Sequence, residues 1–196
     1  MAMDYLHKLV ESMNFPDNIP AEEIEAVIKR RRTVRLNKNE FFLKAGEVPR
    51  HIGYVVAGLM RLYYINTDGV EITKHFCMEN TLAISYSAFL LREGSSFYIQ
   101  ALEDTELYVF DYDTYRDLLA GHACWQSVAK KLSDLLFIIK EKREAELLLC
   151  NAQERYGRFL KDYPNLEKRL NQYHIASYLG ITPESLSRIR ANFRES

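Results

Sequence analysis

The stretch Gln172 to Phe193, QYHIASYLGITPESLSRIRANF, concentrates the side chains whose types and spacing could do chemistry. Thr182, Glu184, Ser185, Ser187, Arg188, Arg190 and Asn192 place hydroxyl, carboxylate, guanidinium and amide groups along about three turns of one expected helix. Those groups suit the edges of base pairs. Arginine can reach O6 and N7 of guanine, and glutamate can accept from the amino group of cytosine. Ser185, Ser187, Arg190 and the amides at the helix N-terminus would face phosphates. The seven residues are therefore candidate contacts to double-stranded DNA. The plain alternative is an ordinary helical hairpin with no DNA partner, and the pattern alone leaves both open.

The neighbouring residues supply the elements that position them. Ile175, Ala176 and Leu179 make one apolar face of a short helix, and Gly180 gives it a C-terminal stop. Thr182 caps a second helix whose first position is Pro183, where proline costs least. Leu186 and Ile189 then point inward. Two short helices joined by a tight glycine turn predict a helix-turn-helix, whose second helix fits a major groove. Upstream, a helix from about Asn151 to Asp162 should stop before Pro164.

A longer helix should precede these. Trp125, Val128, Leu132, Leu135 and Ile139 are spaced 3, 4, 3 and 4, a heptad seam. No Pro or Gly interrupts the chain between Gly121 and Gly157. The register then meets Lys142 and Glu146 before Leu149. The seam could pack back on the preceding domain or pair with its twin; its length favours a homodimer.

From Thr33 to Asp111 the texture is that of short strands. β-branched and aromatic residues cluster at Ile52–Ile65, Val70–Phe76, Phe97–Leu102 and Glu106–Phe110, broken by turn residues. Asn66-Thr67-Asp68-Gly69 reads as a hairpin turn. An antiparallel barrel or sandwich follows. Before it, Leu6, Leu9, Val10 and Met13 recur at helical spacing, and Ala21 to Ile28 follows Pro20 as a second helix. Arg30, Arg31 and Arg32 read as a solvated run.

Composition sets outer bounds. The chain has 196 residues, 47% hydrophobic and 27% charged, with a formal net charge of −1. Residues 151–196 hold eight Lys/Arg against five Asp/Glu, a mild local basic bias. Cys77, Cys124 and Cys150 stand apart without metal or disulfide spacing, and reduced thiols in a cytoplasm fit them. No leader and no apolar run of membrane length is evident, so no membrane partner is expected. His7, His51, His75, His122 and His174 are scattered, with no nucleophile elbow, HExxH or phosphate-binding loop. Neither a catalytic site nor a metal site is expected.

The string LGITPESLSRIR closely resembles the helix-turn-helix of Crp/Fnr-family regulators, especially short forms found in Bacteroidetes-type bacteria. Lys44-Ala45-Gly46-Glu47, Gly58-Leu59-Met60-Arg61-Leu62-Tyr63, Asp68-Gly69-Val70-Glu71 and Ala101-Leu102-Glu103-Asp104-Thr105-Glu106-Leu107 resemble, in order, the family's cyclic-nucleotide-binding β-roll. The resemblance implies an α+β chain. A jelly-roll-like sensor domain would occupy residues 1–120, a dimerisation helix 121–149 and a helix-turn-helix domain 150–196. It also implies base reading by Glu184 and Arg188. Pro183 stands where a well-known activator of the family has an arginine, so that activator's DNA sequence does not transfer. Only six residues follow Arg190, too few for the family's terminal wing.

In the family, cyclic nucleotide is held by a Gly-Glu pair and by an arginine on the next strand. Here Glu79 is followed by Asn80-Thr81, and the arginine position falls at Ser95 or Ser96. Burying a cyclic phosphate without a cation is costly. Cyclic AMP is therefore not expected to bind in the usual way, and no cofactor is predicted. Glu79, Asn80, Arg92, Ser95, Ser96 and Tyr98 remain candidates to line a pocket for another small-molecule effector. The function expected is a homodimeric, sequence-specific transcription regulator, with RNA polymerase a further partner if it activates. The alternative is a sensor module whose helix-turn-helix no longer binds DNA.

Overall fold

A computed structural model describes residues 19–194, so the amphipathic pattern of Leu6 to Met13 lies outside the described residues. Two compact units emerge. One contains the chain up to Tyr64 and His75–Leu135; the other contains Ile65–Lys74 and the chain from Leu136 onward. The division falls inside the long helix rather than at residues 120 and 150.

The first unit opens with helix α1 (Ala21–Arg30), which buries Ile24 and Val27. Eight strands follow: β1 (Arg32–Leu36), β2 (Phe41–Leu43), β3 (His51–Ala57), β4 (Met60–Ile65), β5 (Glu71–Cys77), β6 (Leu82–Ala83), β7 (Tyr98–Ala101) and β8 (Thr105–Asp111). Helix α2 (Tyr86–Leu91) lies between β6 and β7, and helix α3 (Tyr112–Ala120) follows β8. The strands form two four-stranded sheets, ordered β1-β8-β3-β6 and β2-β7-β4-β5.

Alternation along the strands decides which residues face which layer. Val55 and Leu107 pair across β3 and β8, and Leu62 and Ile99 across β4 and β7. All four join Leu43, Met60, Cys77, Phe97 and Val109 in the core between the sheets. Ile52 and Phe110, paired on the opposite face of the first sheet, meet the helices instead. Gly58 is required where β3 turns into β4. Its φ is +103°, and a Cβ there would stand 2.6 Å from the Asp104 carbonyl oxygen.

Helix α4 (Cys124–Leu149) is continuous over 26 residues. Its heptad seam is divided in two. Trp125 and Leu132 are buried and Val128 is half-buried, packed in their own chain; Trp125 and Val128 lie against Ile24 and Val27 of α1. Trp125 and Leu132 are therefore engaged within their own chain, which corrects their assignment to a dimer seam, and Val128 is engaged there in part. Leu135 and Ile139 are exposed, as are Phe137 and Ile138 between them. The same periodicity serves two surfaces because α1 covers only the first turns.

The second unit contains helix α5 (Ala152–Asp162), a 3-10 turn (Leu166–Lys168), helix α6 (Gln172–Leu179) and helix α7 (Pro183–Arg194). Asn151 and Glu154 close a capping box at the start of α5. Phe159, Tyr163 and Tyr178 pack ring against ring, with centroids 5.5–5.7 Å apart. Residues 65–74 belong to this unit: the Ser177 hydroxyl accepts from the Thr73 amide at 2.9 Å and donates to the Glu71 carbonyl at 2.8 Å. The expected turn there is present, with Gly69 at φ +77° and the Asn66 side chain accepting from the Asp68 and Val70 amides.

Candidate nucleic-acid interface

Local chemistry builds the helix-turn-helix as its residues imply. The Asn171 side chain accepts from the His174 amide at 2.8 Å and starts α6. Gly180 ends it at φ +68°, with its own amide and that of Ile181 bonded back to α6 carbonyls. Thr182 Oγ1 accepts from the Ser185 amide at 3.2 Å and starts α7. Leu186 is fully buried beneath it.

Arginines from outside the motif hold its first helix. Arg155 donates to the Leu179 carbonyl at 2.9 Å and to the Cys150 carbonyl at 2.6 Å. Arg143 donates to the Tyr178 carbonyl and lies 3.9 Å over the Tyr178 ring. Cations at the C-terminal carbonyls of a helix are favourably placed against its dipole. Glu146 is buried and pairs with Arg143 at 3.4 Å and Arg158 at 3.7 Å. The polar break in the α4 seam is thus an ion cluster, and sequence reasoning missed it. Its signal was present: Arg143 and Glu146 are one turn apart, immediately before an interval of exposed leucines.

On α7 the outer face carries Glu184, Ser187, Arg188 and Asn192, all exposed; Thr182 is exposed at the cap and Ser185 is half-buried. Hydrogen bonding to its own backbone amide, then to Thr182, then the nearby Arg188 charge, hold the Glu184 carboxyl below the ordinary carboxylate range. It is an acceptor at neutral pH. Arg190 differs from expectation. Only 22% of its side chain is exposed, and its Nε sits 2.7 Å from Glu167 of the 3-10 turn. Arg190 lies toward the body of the unit and does not stand ready for phosphate.

The six candidate effector residues are engaged in several separate contacts. Glu79 accepts from the Gly58 amide at 3.0 Å, and Asn80 accepts from the Tyr54 hydroxyl at 2.7 Å. Ser95 is buried, its hydroxyl donating to the Phe97 carbonyl at 2.8 Å and lying 3.0 Å from the Ser85 hydroxyl. Tyr98 stacks on Tyr63 with centroids 5.1 Å apart. Arg92 lies 4.5 Å over the Tyr112 ring, and Ser96 is exposed. Cys77, Cys124 and Cys150 form no disulfide. Among the described residues, no cluster of His, Cys, Asp or Glu could hold a metal, and no helix is long and apolar enough to cross a membrane.

Comparison with known proteins places this geometry. Residues 33–122 match the cyclic nucleotide-binding domain family. The chain is 27% identical over 192 residues to the anaerobic regulatory protein of Haemophilus influenzae, covering 89% of this chain and 70% of that protein. Among solved structures, the c-di-GMP responsive global regulator CLP of Xanthomonas campestris superposes with a TM-score of 0.70 at 14% identity, over 90% of this chain and 92% of that one. A transcriptional regulator of the Crp/Fnr family from Eubacterium rectale gives a TM-score of 0.70 at 17% identity, over 90% and 84%. The fold is that of Crp/Fnr-family regulators, and residues 33–122 are similar to the cyclic nucleotide-binding domain.

Proposed function

We propose that this chain is a homodimeric, sequence-specific DNA-binding transcription regulator acting in the cytoplasm, with α7 as its reading head. The observation that carries the proposal is the outer face of α7. An ionised Glu184 and the exposed Ser187, Arg188 and Asn192 share a helix whose start is fixed by Thr182 and whose inner face is fixed by Leu186. Such a face offers a carboxylate for cytosine and a guanidinium for guanine. Thr182, Ser185 and the first amides of α7 would meet the phosphates.

Dimerisation uses the part of α4 that the described residues leave exposed: Leu135, Phe137, Ile138 and Ile139. Two reading heads would then address a two-fold symmetric site about one helical turn apart. A small-molecule effector in the first unit would bias this arrangement by binding its two states with different affinity. If the outcome is activation, RNA polymerase is a further partner. Nothing in this reading requires catalysis, a metal or a cofactor.

A second reading draws on Arg190. With that cation paired to Glu167, the face has one fewer positive charge for phosphates than its sequence suggests. A sensor module without DNA binding would fit this. Selection from a random duplex pool at moderate salt, with Arg188→Ala in parallel, decides between them. Enrichment of a symmetric site by the wild type, relaxed by Arg188→Ala, supports the regulator. No enrichment by either protein, with or without cell extract, favours the sensor module.

A further inference from the structure

The first unit contains a partly open cavity of about 120 Å³ away from the candidate effector residues. Its wall comes from α1 (Ile24, Val27), the outer face of the first sheet (Ile52, Phe110), α3 (Leu118) and α4 (Ala129), with others beside them. Four packed elements therefore line one space.

The lining of that space is wholly apolar. No polar atom shows in its wall. Two lining residues own polar atoms, and both direct them elsewhere. The Trp125 indole donates to the Glu23 carboxylate at 2.7 Å. The Tyr115 hydroxyl lies 3.3 Å from the Tyr86 hydroxyl, which in turn lies 3.0 Å from the Ser133 hydroxyl. A buried water needs two to four polar partners, and this cavity supplies none. Native cores contain few voids of this size, because wall atoms facing empty space forfeit dispersion contacts. An apolar molecule restores those contacts without asking for a hydrogen bond.

We propose that this cavity is a binding site for a small, uncharged apolar molecule, about the size of one aromatic ring. Apolar cavities of about 150 Å³ bind benzene. The absence of any cation in the wall excludes phosphates and carboxylates as ligands. The occupant touches Trp125, Val128, Ala129 and Leu132, the first turns of α4. Loading the cavity therefore acts on the helix that also carries the exposed Leu135, Phe137, Ile138 and Ile139. This names a ligand class for the effector and rests on the regulator reading only for the consequence at DNA; binding itself is independent of it.

Benzene is the probe. Titrated into the full chain with ¹³C-labelled methyl groups, it should shift the signals of Ile24, Val27, Ile52 and Leu118 saturably. It should also raise the melting midpoint by about 3 °C at tenfold excess over its dissociation constant. Pyridine has the same shape and a polar nitrogen, and should bind at least about tenfold more weakly. Ala129→Leu fills the space with little change elsewhere and should abolish the response; Val27→Leu is the second filling variant if the first melts early. Absence of saturable shifts in the wild type overturns the proposal, as does an undiminished response in both folded variants. If benzene binds and DNA selection fails, the site stands and the regulator reading does not.

Discussion

Glu167 holds two partners at once: Arg190, with its Nε 2.7 Å from the carboxylate, and Tyr156, whose hydroxyl donates at 2.6 Å. Arg190 is thereby a structural residue on a helix whose Glu184 and Arg188 face outward. Arg190→Ala should lower stability by about 1 kcal/mol in urea unfolding. It should leave the dependence of log K on log salt unchanged, because a phosphate contact would add nearly one to that slope. A slope reduced by about one would return Arg190 to the phosphate-contacting set.

Arg188→Ala and Glu184→Gln are expected to differ from Arg190→Ala in kind. Each should cost about 1–3 kcal/mol at one base pair of the site and relax the preference there, with the melting midpoint little changed. Binding isotherms on single-base variants of the selected site measure this. Uniform weakening on every variant would mean that these side chains contact backbone only.

The two halves of the α4 seam should respond oppositely to substitution. Leu132→Ala removes a buried side chain and should destabilise the fold by about 2–5 kcal/mol. Ile139→Glu charges an exposed position; light scattering should show a monomer with a melting curve still cooperative. A dimer surviving Ile139→Glu together with Ile138→Glu would place the interface elsewhere.

The turn of the helix-turn-helix gives a prediction that is purely conformational. A Cβ on Gly180 would meet nothing nearer than the Leu147 side chain at 3.9 Å, so no clash opposes Gly180→Ala. Its φ of +68° does oppose it. The expected loss is about 1 kcal/mol or more, read as a lower melting midpoint. Gly180→Asn should recover part of it, because asparagine tolerates this conformation.

His51 should make stability depend on pH. Burial first, then the charge of Arg32, lower its pKa below 6.5, against an opposing pull from Asp111. The folded state therefore prefers neutral imidazole, consistent with Arg32 standing 2.6 Å from its Nε2. Just below pH 6.5 the unfolded chain binds more protons, so stability rises with pH through that window. It is complete above 6.5 and lost as pH falls through the folded value. His51→Gln should flatten the urea midpoint between roughly pH 5 and 7.5. Asp111, held low mainly by the Thr114 amide at the cap of α3, acts in a separate window below 3.8.

Features written in short stretches of chain were the legible ones. Gly180, Thr182 and Pro183 announce a helix end, a cap and a helix start through their own backbone preferences, and the structure places them so. Asp68-Gly69 did the same for the hairpin. Arg190 shows where local reading stops. It stands four residues after Leu186 and three before Phe193, a spacing that turns it toward the inner face. Its partner Glu167, however, comes from a different element. Likewise Trp125 and Ile139 belong to one periodic pattern, and only the position of α1 separates them. The apolar cavity has no local signature, since four distant segments make its wall.

The continuity of α4 has a consequence for how such chains can vary in length. Trp125 and Leu132 are buried near its start, and Glu146 is clamped between two arginines near its end. Each inserted residue rotates everything downstream by about 100°. One extra residue between Leu132 and Arg143 would keep the Arg143–Glu146 pair intact but turn it by about 100° about the helix axis relative to Trp125 and Leu132. Seven or eleven residues would restore the phase, at the cost of a longer helix. Insertions and deletions in this interval therefore preserve the phase between the two ends of α4 only in whole periods, and the helix works as a ruler that reads angle as well as distance.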